Sequence, residues 1–265
     1  MSTFWNDLVR NLGDREDVVN IPGAPILTNI FIDNIQNKVL SSYLLTFNKK
    51  VVLDVGAGIG RWTTRFSKYG QEVIALDISR EMIKLAKKKL KKSNVTFIVG
   101  TACAIPLREN SVDCSFSCTC LQHIDDEEKQ KTGISEMARV TRKQIMILEL
   151  MSSGSNFTKL SHYPTLIIPK ALYVSTLKIA NVRSIHYHGV DYLPLLKLTE
   201  QARNFLFKKT EFDIPSYGGS FKQQLPRIIY QTCSLIATVF SFPFARILFN
   251  PNERLTRHFL LIAKK

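Results

Sequence analysis

The feature that most constrains this chain is an aliphatic run that breaks into three closely spaced glycines. Residues 51–53 have the composition of a buried strand, and glycines then occupy every second position of residues 56–60. Aromatic residues follow at helical spacing over residues 62–69. The order strand, glycine turn, helix predicts a ligand site, because glycines let a ligand lie against bare backbone and the following helix start offers unpaired N–H groups.

The spacing of the glycines separates two ligand classes. The dinucleotide fingerprint places its third glycine three positions after the second. Here Gly60 comes two positions after Gly58, Arg61 stands where that fingerprint needs glycine, and the acid Asp54 precedes the turn. This D-x-G-x-G-x-G pattern resembles motif I of the class I S-adenosylmethionine-dependent methyltransferases. The resemblance implies S-adenosyl-L-methionine as the cofactor, with its methionine and ribose parts on the loop.

A second buried strand, residues 73–76, ends in an acid at the expected place. Ligands of doubly wound sheets bind outside the carboxyl ends of the strands, where the carboxylate of Asp77 can accept hydrogen bonds from both ribose hydroxyls. The offset from Gly56 to Asp77 is close to the ~20 residues typical of nucleoside-binding folds. In the resembled family, the residue at the position of Ile78 packs on the adenine ring.

The resemblance continues along the chain. Thr101 follows the third strand at a position where many family members have an acid for the adenine amino group, and the backbone of Ala102 is expected to meet the adenine. The segment after the fourth strand, residues 119–124, resembles the family segment beside the transferred methyl group. The cofactor-binding residues that the resemblance implies are Asp54, Gly56, Ala57, Gly58, Gly60, Trp62, Asp77, Ile78, Thr101, Ala102, Cys118 and Gln122.

Two histidines are candidates for catalysis. The resemblance implies in-line displacement at the sulfonium methyl group without a metal, so the protein mainly positions and desolvates the reactants. His123 and His162 are candidate general bases, since an imidazole titrates near neutrality; a packing role for His123 stays open. Cys118 and Cys120 lie where pyrimidine carbon-5 methyltransferases have a nucleophile, but the sequence context of those enzymes is absent and buried packing is the favoured interpretation.

Charge and cysteine content bear on partners and location. The chain has 265 residues and a net charge of +14, which favours anionic partners such as RNA, a phosphorylated substrate or an anionic membrane surface. The lysines of residues 84–92 are compatible with RNA binding, although a solvated helix face is favoured.

The cysteine content bears on location. The chain has 5 cysteines, an odd number, and its N-terminus does not resemble a signal peptide. Both observations indicate reduced thiols and a cytoplasmic location.

The sequence predicts an α/β, Rossmann-like, doubly wound and mostly parallel seven-stranded sheet with an antiparallel last strand and a helical cap. The expected domains are an N-terminal helical cap (1–48), the cofactor-binding core (49–190), an apolar helical insertion (191–254) and the closing strand (255–265). Within the insertion, residues 228–245 carry no charge. Because they include polar residues and a proline, they are expected to cover an apolar pocket or lie peripherally on a membrane rather than span it.

Three functions remain compatible with these observations. Methyl transfer to a small-molecule or lipid-like acceptor is favoured, since residues 228–245 are apolar and no RNA-binding module is visible. An RNA methyltransferase is the first alternative, supported by the net charge. A cofactor-binding partner subunit without its own activity is the second, supported by Thr101 alone.

Overall fold

The computed structural model describes residues 2–12, 26–152, 154, 157–160, 165–190 and 258–265. Within these residues, two α-helices precede the first strand. The helices are α1 (Ser2–Leu12), α2 (Ile26–Leu44), α3 (Arg61–Phe66), α4 (Arg80–Lys89), α5 (Glu127–Val140) and α6 (Lys170–Ile179). The strands are β1 (Val51–Val55), β2 (Glu72–Asp77), β3 (Val95–Val99), β4 (Val112–Cys118), β5 (Thr141–Ser152), β6 (Thr158–Leu160), β7 (Thr165–Pro169), β8 (Ser184–Val190) and β9 (His258–Lys264).

The strands form one mixed sheet whose main path confirms the predicted topology. Strands β1 to β5 are parallel in the order β3-β2-β1-β4-β5. The last strand, β9, is antiparallel to both β5 and β8 and lies between them. Strands β1 to β5 with β8 and β9 therefore form the predicted mostly parallel sheet with an antiparallel last strand, and the described sheet has two more strands, β6 and β7. They attach because β5 runs beyond its pairing with β9, so that Met151 and Ser152 pair with β7 instead.

Helices cover both faces of the sheet, which explains why its central strands are apolar on both sides. On one face, α2 and α3 bury Leu40 and Phe66 in a cluster with Val52 of β1. On the other face, α5 and α6 bury Met137 and Leu177 in a cluster that includes Leu53, the next residue of β1. The alternation of side chains along a strand thus divides the apolar core into two layers.

The N-terminal helix α1 is fixed on the start of α4. Ser79 caps α4 by accepting a hydrogen bond from the Met82 N–H at 3.1 Å. Asn6 of α1 accepts from the hydroxyl of Ser79 at 2.8 Å and from the N–H of Glu81 at 3.2 Å. Because Leu8 is fully buried in the cluster beside these bonds, α1 is held at the carboxyl ends of the strands.

Several sequence predictions fall on residues outside the described ranges. They include His162, the insertion at residues 191–254 with its uncharged stretch, and the start of the closing strand. Within the described ranges, no helix combines the length and the apolar composition needed to cross a membrane.

Candidate functional site

A cavity of about 480 Å³ opens at the carboxyl ends of β1, β2 and β4. It is bounded by the glycine turn after β1, the end of β2, the segments after β3 and β4, and α1. The sequence-predicted residues that line it are Gly56, Ala57, Gly58, Trp62, Asp77, Ile78, Thr101, Ala102, Cys118 and His123. Residues from five separate stretches of the chain therefore meet at the edge where ligands of parallel sheets bind.

The three glycines of the turn all have left-handed backbone conformations but serve different purposes. Their φ values are 73°, 56° and 84° at Gly56, Gly58 and Gly60. A Cβ at Gly56 would lie 2.3 Å from the sulfur of Cys120, so this position makes room for the segment after β4. Gly58 lines the cavity. Gly60 does not; a Cβ there would lie 3.2 Å from the Cβ of Ala86, so it permits close packing of α4.

Two backbone N–H groups hold the carboxylate of Asp77, one from the glycine turn and one from the residue that caps α4. Its Oδ2 accepts from the N–H of Gly58 at 2.8 Å, and its Oδ1 accepts from the N–H of Ser79 at 2.8 Å. Burial raises the pKa of this carboxyl, and the two hydrogen bonds oppose that effect. A carboxylate oxygen has two lone pairs, so each oxygen retains one that can accept a ribose hydroxyl.

Asp54 lies beneath the turn and does not line the cavity, in contrast to its place among the expected cofactor-binding residues. It is 2% exposed, and its Oδ2 accepts from the hydroxyl of Thr63 at 2.6 Å. Burial raises the pKa of Asp54 to about 7. Because Thr63 belongs to α3, this bond fixes the start of α3 against β1, and Asp54 shapes the loop rather than touching its ligand.

Gln122 also departs from its expected place. Its side chain is buried and its Oε1 accepts from the N–H of Leu150 at 2.8 Å, so it joins the segment after β4 to β5. It does not line the cavity, because this backbone donor holds its amide group. The part of the same segment that does line the cavity comprises Thr119, Cys120, His123 and Ile124.

Glu149 of β5 organises that segment and was not among the expected site residues. It is fully buried; its Oε1 accepts from the hydroxyl of Ser117 at 2.8 Å and from the N–H groups of Cys120 and Leu121 at 2.9 and 3.0 Å. Its Oε2 accepts more weakly from the N–H of Gln122 at 3.3 Å. Burial raises the pKa of Glu149 to about 7 despite these bonds. An acid ending an apolar strand was the only sequence signal for this role.

His123 is held between two elements that are distant in sequence. Its Nδ1 lies 3.0 Å from the hydroxyl of Thr165 in β7. The ring of Trp5 from α1 packs edge-on against the imidazole, with 4.9 Å between ring centroids. Both His123 and Trp5 line the cavity. Thr165 could not be placed here from the sequence, because β7 was not predicted.

The wall beside the glycine turn carries a guanidinium group and an indole. Arg61 donates to Asp33 and to Gln36 of α2, both at 2.6 Å, and its guanidinium carbon lies 5.1 Å from the ring centroid of Trp62. Trp62 is 4% exposed, and its indole N–H has no hydrogen-bond partner among the described residues. Arg61 and Trp62 both line the cavity, so the wall beside the turn presents a guanidinium group that suits an anionic or polar ligand group.

The cysteines of the cavity have the character of packing residues. Burial raises the pKa of the Cys118 thiol to about 11. Burial and the nearby carboxylate of Glu149 raise the pKa of Cys120 well above its usual range. A thiol must ionise to act as a nucleophile, so neither environment favours that role. Cys120 instead fills the space that the missing side chain of Gly56 leaves.

Thr101 brings a hydroxyl group, not a charge, to the cavity wall. The hydroxyl of Thr101 accepts from the N–H of Cys103 at 3.2 Å, so it stabilises the turn at the expected adenine end. In the part of the chain that the structure describes, no cluster of histidine, cysteine and acidic side chains is arranged to hold a metal ion.

Comparison with known proteins places this geometry in a family. Residues 52–144 match the model of a methyltransferase domain. Phosphoethanolamine N-methyltransferase 1 of Caenorhabditis elegans is 30% identical over 158 residues, which cover 58% of this chain and 33% of that protein. Demethylmenaquinone methyltransferase of Renibacterium salmoninarum is 35% identical over 91 residues, 34% of this chain and 36% of that one. The chain thus spans about a third of the length of these curated relatives.

A solved structure has a similar fold. Phosphoethanolamine N-methyltransferase 1 of Haemonchus contortus, in complex with phosphoethanolamine and S-adenosylhomocysteine, superposes with a TM-score of 0.59. The match covers 99% of this chain and 47% of that one at 16% sequence identity. Together, the matching domain, the sheet order and the glycine turn with Asp77 show that this chain carries a class I S-adenosylmethionine-dependent methyltransferase domain, whose cofactor is S-adenosyl-L-methionine.

Proposed function

We propose that the protein is an enzyme that transfers the methyl group of S-adenosylmethionine to a small-molecule acceptor. The observation that carries this proposal is one continuous cavity with Asp77 and the glycine turn on one side and His123 with Trp5 on another. A cofactor-binding protein without activity would need only the first of these sides.

The residues present fit the cofactor. Asp77 offers its remaining lone pairs to the ribose hydroxyls, and Gly58 allows the ligand to approach the backbone. The guanidinium group of Arg61 matches the carboxylate of the methionine part. Ile78 and Ala102 provide apolar contact for the adenine. Each part of the cofactor therefore has a complementary group in the cavity wall.

The bound cofactor would supply an electrophilic methyl group on sulfur. The acceptor would attack this methyl carbon in line, so that its new bond to carbon forms as the carbon–sulfur bond breaks and S-adenosylhomocysteine leaves. His123 would take a proton from an oxygen or nitrogen acceptor. The neutral imidazole tautomer suited to this task carries its proton on Nδ1, and this N–H donates a hydrogen bond to the hydroxyl of Thr165. Nε2 is then the basic nitrogen. His162 remains a second candidate base from the sequence. Trp5 restricts water on the acceptor side of the cavity.

The relatives support a small-molecule acceptor. The names of two of them specify phosphoethanolamine and demethylmenaquinone, a small polar amine and an apolar quinone. The sequence predicts that residues 228–245 cover an apolar or lipid-like acceptor, and this expectation stays a prediction, as does the cytoplasmic location. RNA as the acceptor is the alternative that the experiment must separate.

Calorimetry with S-adenosylhomocysteine tests the cofactor site first. The wild-type protein should bind it with an affinity in the micromolar range, about 8 kcal/mol. Asp77→Asn should weaken binding by about 1–3 kcal/mol, because the amide is a poorer acceptor for the ribose hydroxyls. Asp125→Asn is the matched control, since Asp125 is exposed and does not line the cavity. Equal binding by both variants would remove Asp77 from the site.

Mass spectrometry of methylated products tests the acceptor class. Purified protein with S-adenosylmethionine is offered separate pools of small amines, phosphorylated amines, quinols and RNA. Methylation in a small-molecule pool, lost in His123→Ala with retained S-adenosylhomocysteine binding, supports the proposal. Methylation of RNA alone would establish the alternative, and cofactor binding without turnover on any pool would favour the partner-subunit function.

A further inference from the structure

The edge of the sheet opposite the cavity is strongly basic. We call it the amino edge; it comprises the residues that precede each parallel strand and those that follow β9. Because β9 runs antiparallel, its last residues return to this edge, where the N–H of Lys265 donates to Lys143 and the N–H of Arg183 donates to Lys264. Basic side chains are therefore brought together here from distant parts of the sequence.

The basic side chains of the amino edge are exposed to solvent. Six exposed basic residues are spread along this edge: Lys49, Lys68, Lys91, Lys178, Arg183 and Lys264. None of these side chains forms a salt bridge within the described part of the chain. The buried acid of this edge, Asp113, is already balanced by Arg142 at 3.4 Å and Lys143 at 3.0 Å. The edge thus carries an excess of uncompensated positive charge.

Apolar side chains protrude among these charges. Ile179 is 84% exposed and Leu45 is 67% exposed, the highest values among the large exposed apolar residues of the described chain. Ile179 ends α6 on one face of the sheet. Leu45 follows α2 on the other face, four residues before Lys49, whose N–H donates to the carbonyl of Tyr69 at 3.1 Å. Apolar residues therefore flank the amino edge on both faces of the sheet.

The chain segment between β8 and β9 joins the fold at the other edge. Strand β8 pairs antiparallel with β9, and its last residue, Val190, pairs with His258, the first residue of β9. Val190 and His258, the described residues on either side of this segment, therefore lie at the carboxyl edge with the cavity. The basic and apolar residues described above belong to the opposite, amino edge.

We propose that the amino edge is a docking surface for a bilayer that contains anionic lipids. Lysines near such a surface are attracted by its negative potential, while exposed aliphatic side chains gain by entering the interface. Ile179 and Leu45 distinguish this partner from RNA, because single-stranded RNA is held by stacking on aromatic rings, which aliphatic side chains cannot provide. Docking by the amino edge turns the cavity away from the membrane, towards acceptors in the aqueous phase.

Vesicle flotation tests the proposal with the full-length protein. Phosphatidylcholine vesicles with phosphatidylglycerol should carry the protein to the top of the gradient, and vesicles of phosphatidylcholine alone should not. The test variant neutralises three lysines of the amino edge: K49Q, K68Q and K178Q. The matched control removes the same charge from within three helices: K38Q, K84Q and K131Q. Each lysine near an anionic surface changes partitioning about fivefold, so the test variant should lose about a hundredfold and the control much less.

A second variant tests the apolar contribution, and cofactor binding serves as the internal control. Ile179→Ser combined with Leu45→Ser should weaken flotation without altering the melting temperature, because both side chains are exposed. Affinity for S-adenosylhomocysteine should stay unchanged in all variants, so failure of the docking proposal is distinguishable from failure of the proposed function. The proposal would be overturned if the protein did not float, or if the two lysine variants lost flotation equally. It would also be overturned if the serine variant floated normally while RNA displaced the vesicles from the protein.

Discussion

Replacement of Glu149 by glutamine tests how the segment beside the cavity is held. Glu149 is fully buried, and burial raises its pKa from the 4.5 of an exposed glutamate to about 7. Between these pH values the folded protein keeps a proton that the unfolded chain has lost. The free energy of unfolding therefore falls as the pH rises through this window. The stabilisation from protonated Glu149 is fully present only below about pH 4.5.

The magnitude follows from the same pKa. One pKa unit corresponds to about 1.4 kcal/mol, so ionisation of Glu149 lowers the free energy of unfolding by about 3 kcal/mol once the pH exceeds 7. Glutamine cannot ionise and can keep its oxygen towards Ser117, Cys120 and Leu121. Glutamine loses only one acceptor, the Oε2 that lies 3.3 Å from the backbone nitrogen of Gln122. This loss should lower the free energy of unfolding by about 1 kcal/mol at every pH.

Urea unfolding, followed by the fluorescence of Trp5 and Trp62, measures this effect. Between about pH 5 and about pH 8, the stability of Glu149→Gln relative to wild type should improve by about 2–3 kcal/mol. The other titrating groups, including the buried Asp54, are common to both proteins and cancel in the comparison. Glu128→Gln is the control, because its carboxylate is exposed, and it should track wild type throughout. Parallel stability curves for Glu149→Gln and wild type would refute the raised pKa of Glu149.

Two further substitutions probe single contacts of the site. Thr165→Val removes the hydroxyl that lies 3.0 Å from His123 Nδ1, and turnover should fall about tenfold or more with unchanged affinity for S-adenosylhomocysteine; a loss of affinity instead would show a general structural defect. Gly56→Ala places a Cβ 2.3 Å from the sulfur of Cys120 in a left-handed conformation and should lower stability by about 2 kcal/mol or more. Thermal unfolding measures this, and adding Cys120→Gly should recover part of the loss.

Local sequence determined the cofactor side of the site. The glycine turn, Asp77 and the Thr101–Ala102 turn each lie directly after a strand, and parallel strands bring their carboxyl ends together at one edge. Strand identity was therefore sufficient to predict that these residues meet. The same rule could not tell which side chains face the ligand. Asp54 and Gln122 lie in the right segments, but each is held by a nearer partner, Thr63 and the backbone of Leu150.

The acceptor side was decided by contacts between distant segments. Trp5 reaches His123 because Asn6 fixes α1 on α4, and Thr165 reaches it because β5 outruns its pairing with β9 and recruits β7. Neither contact has a local pattern, since each depends on where a helix docks or a strand ends. The sequence by itself thus determined the fold class and the cofactor, because these follow from periodicity and short motifs. Only the tertiary structure decided what surrounds His123 and where the positive charge gathers, because those depend on which distant segments pack together.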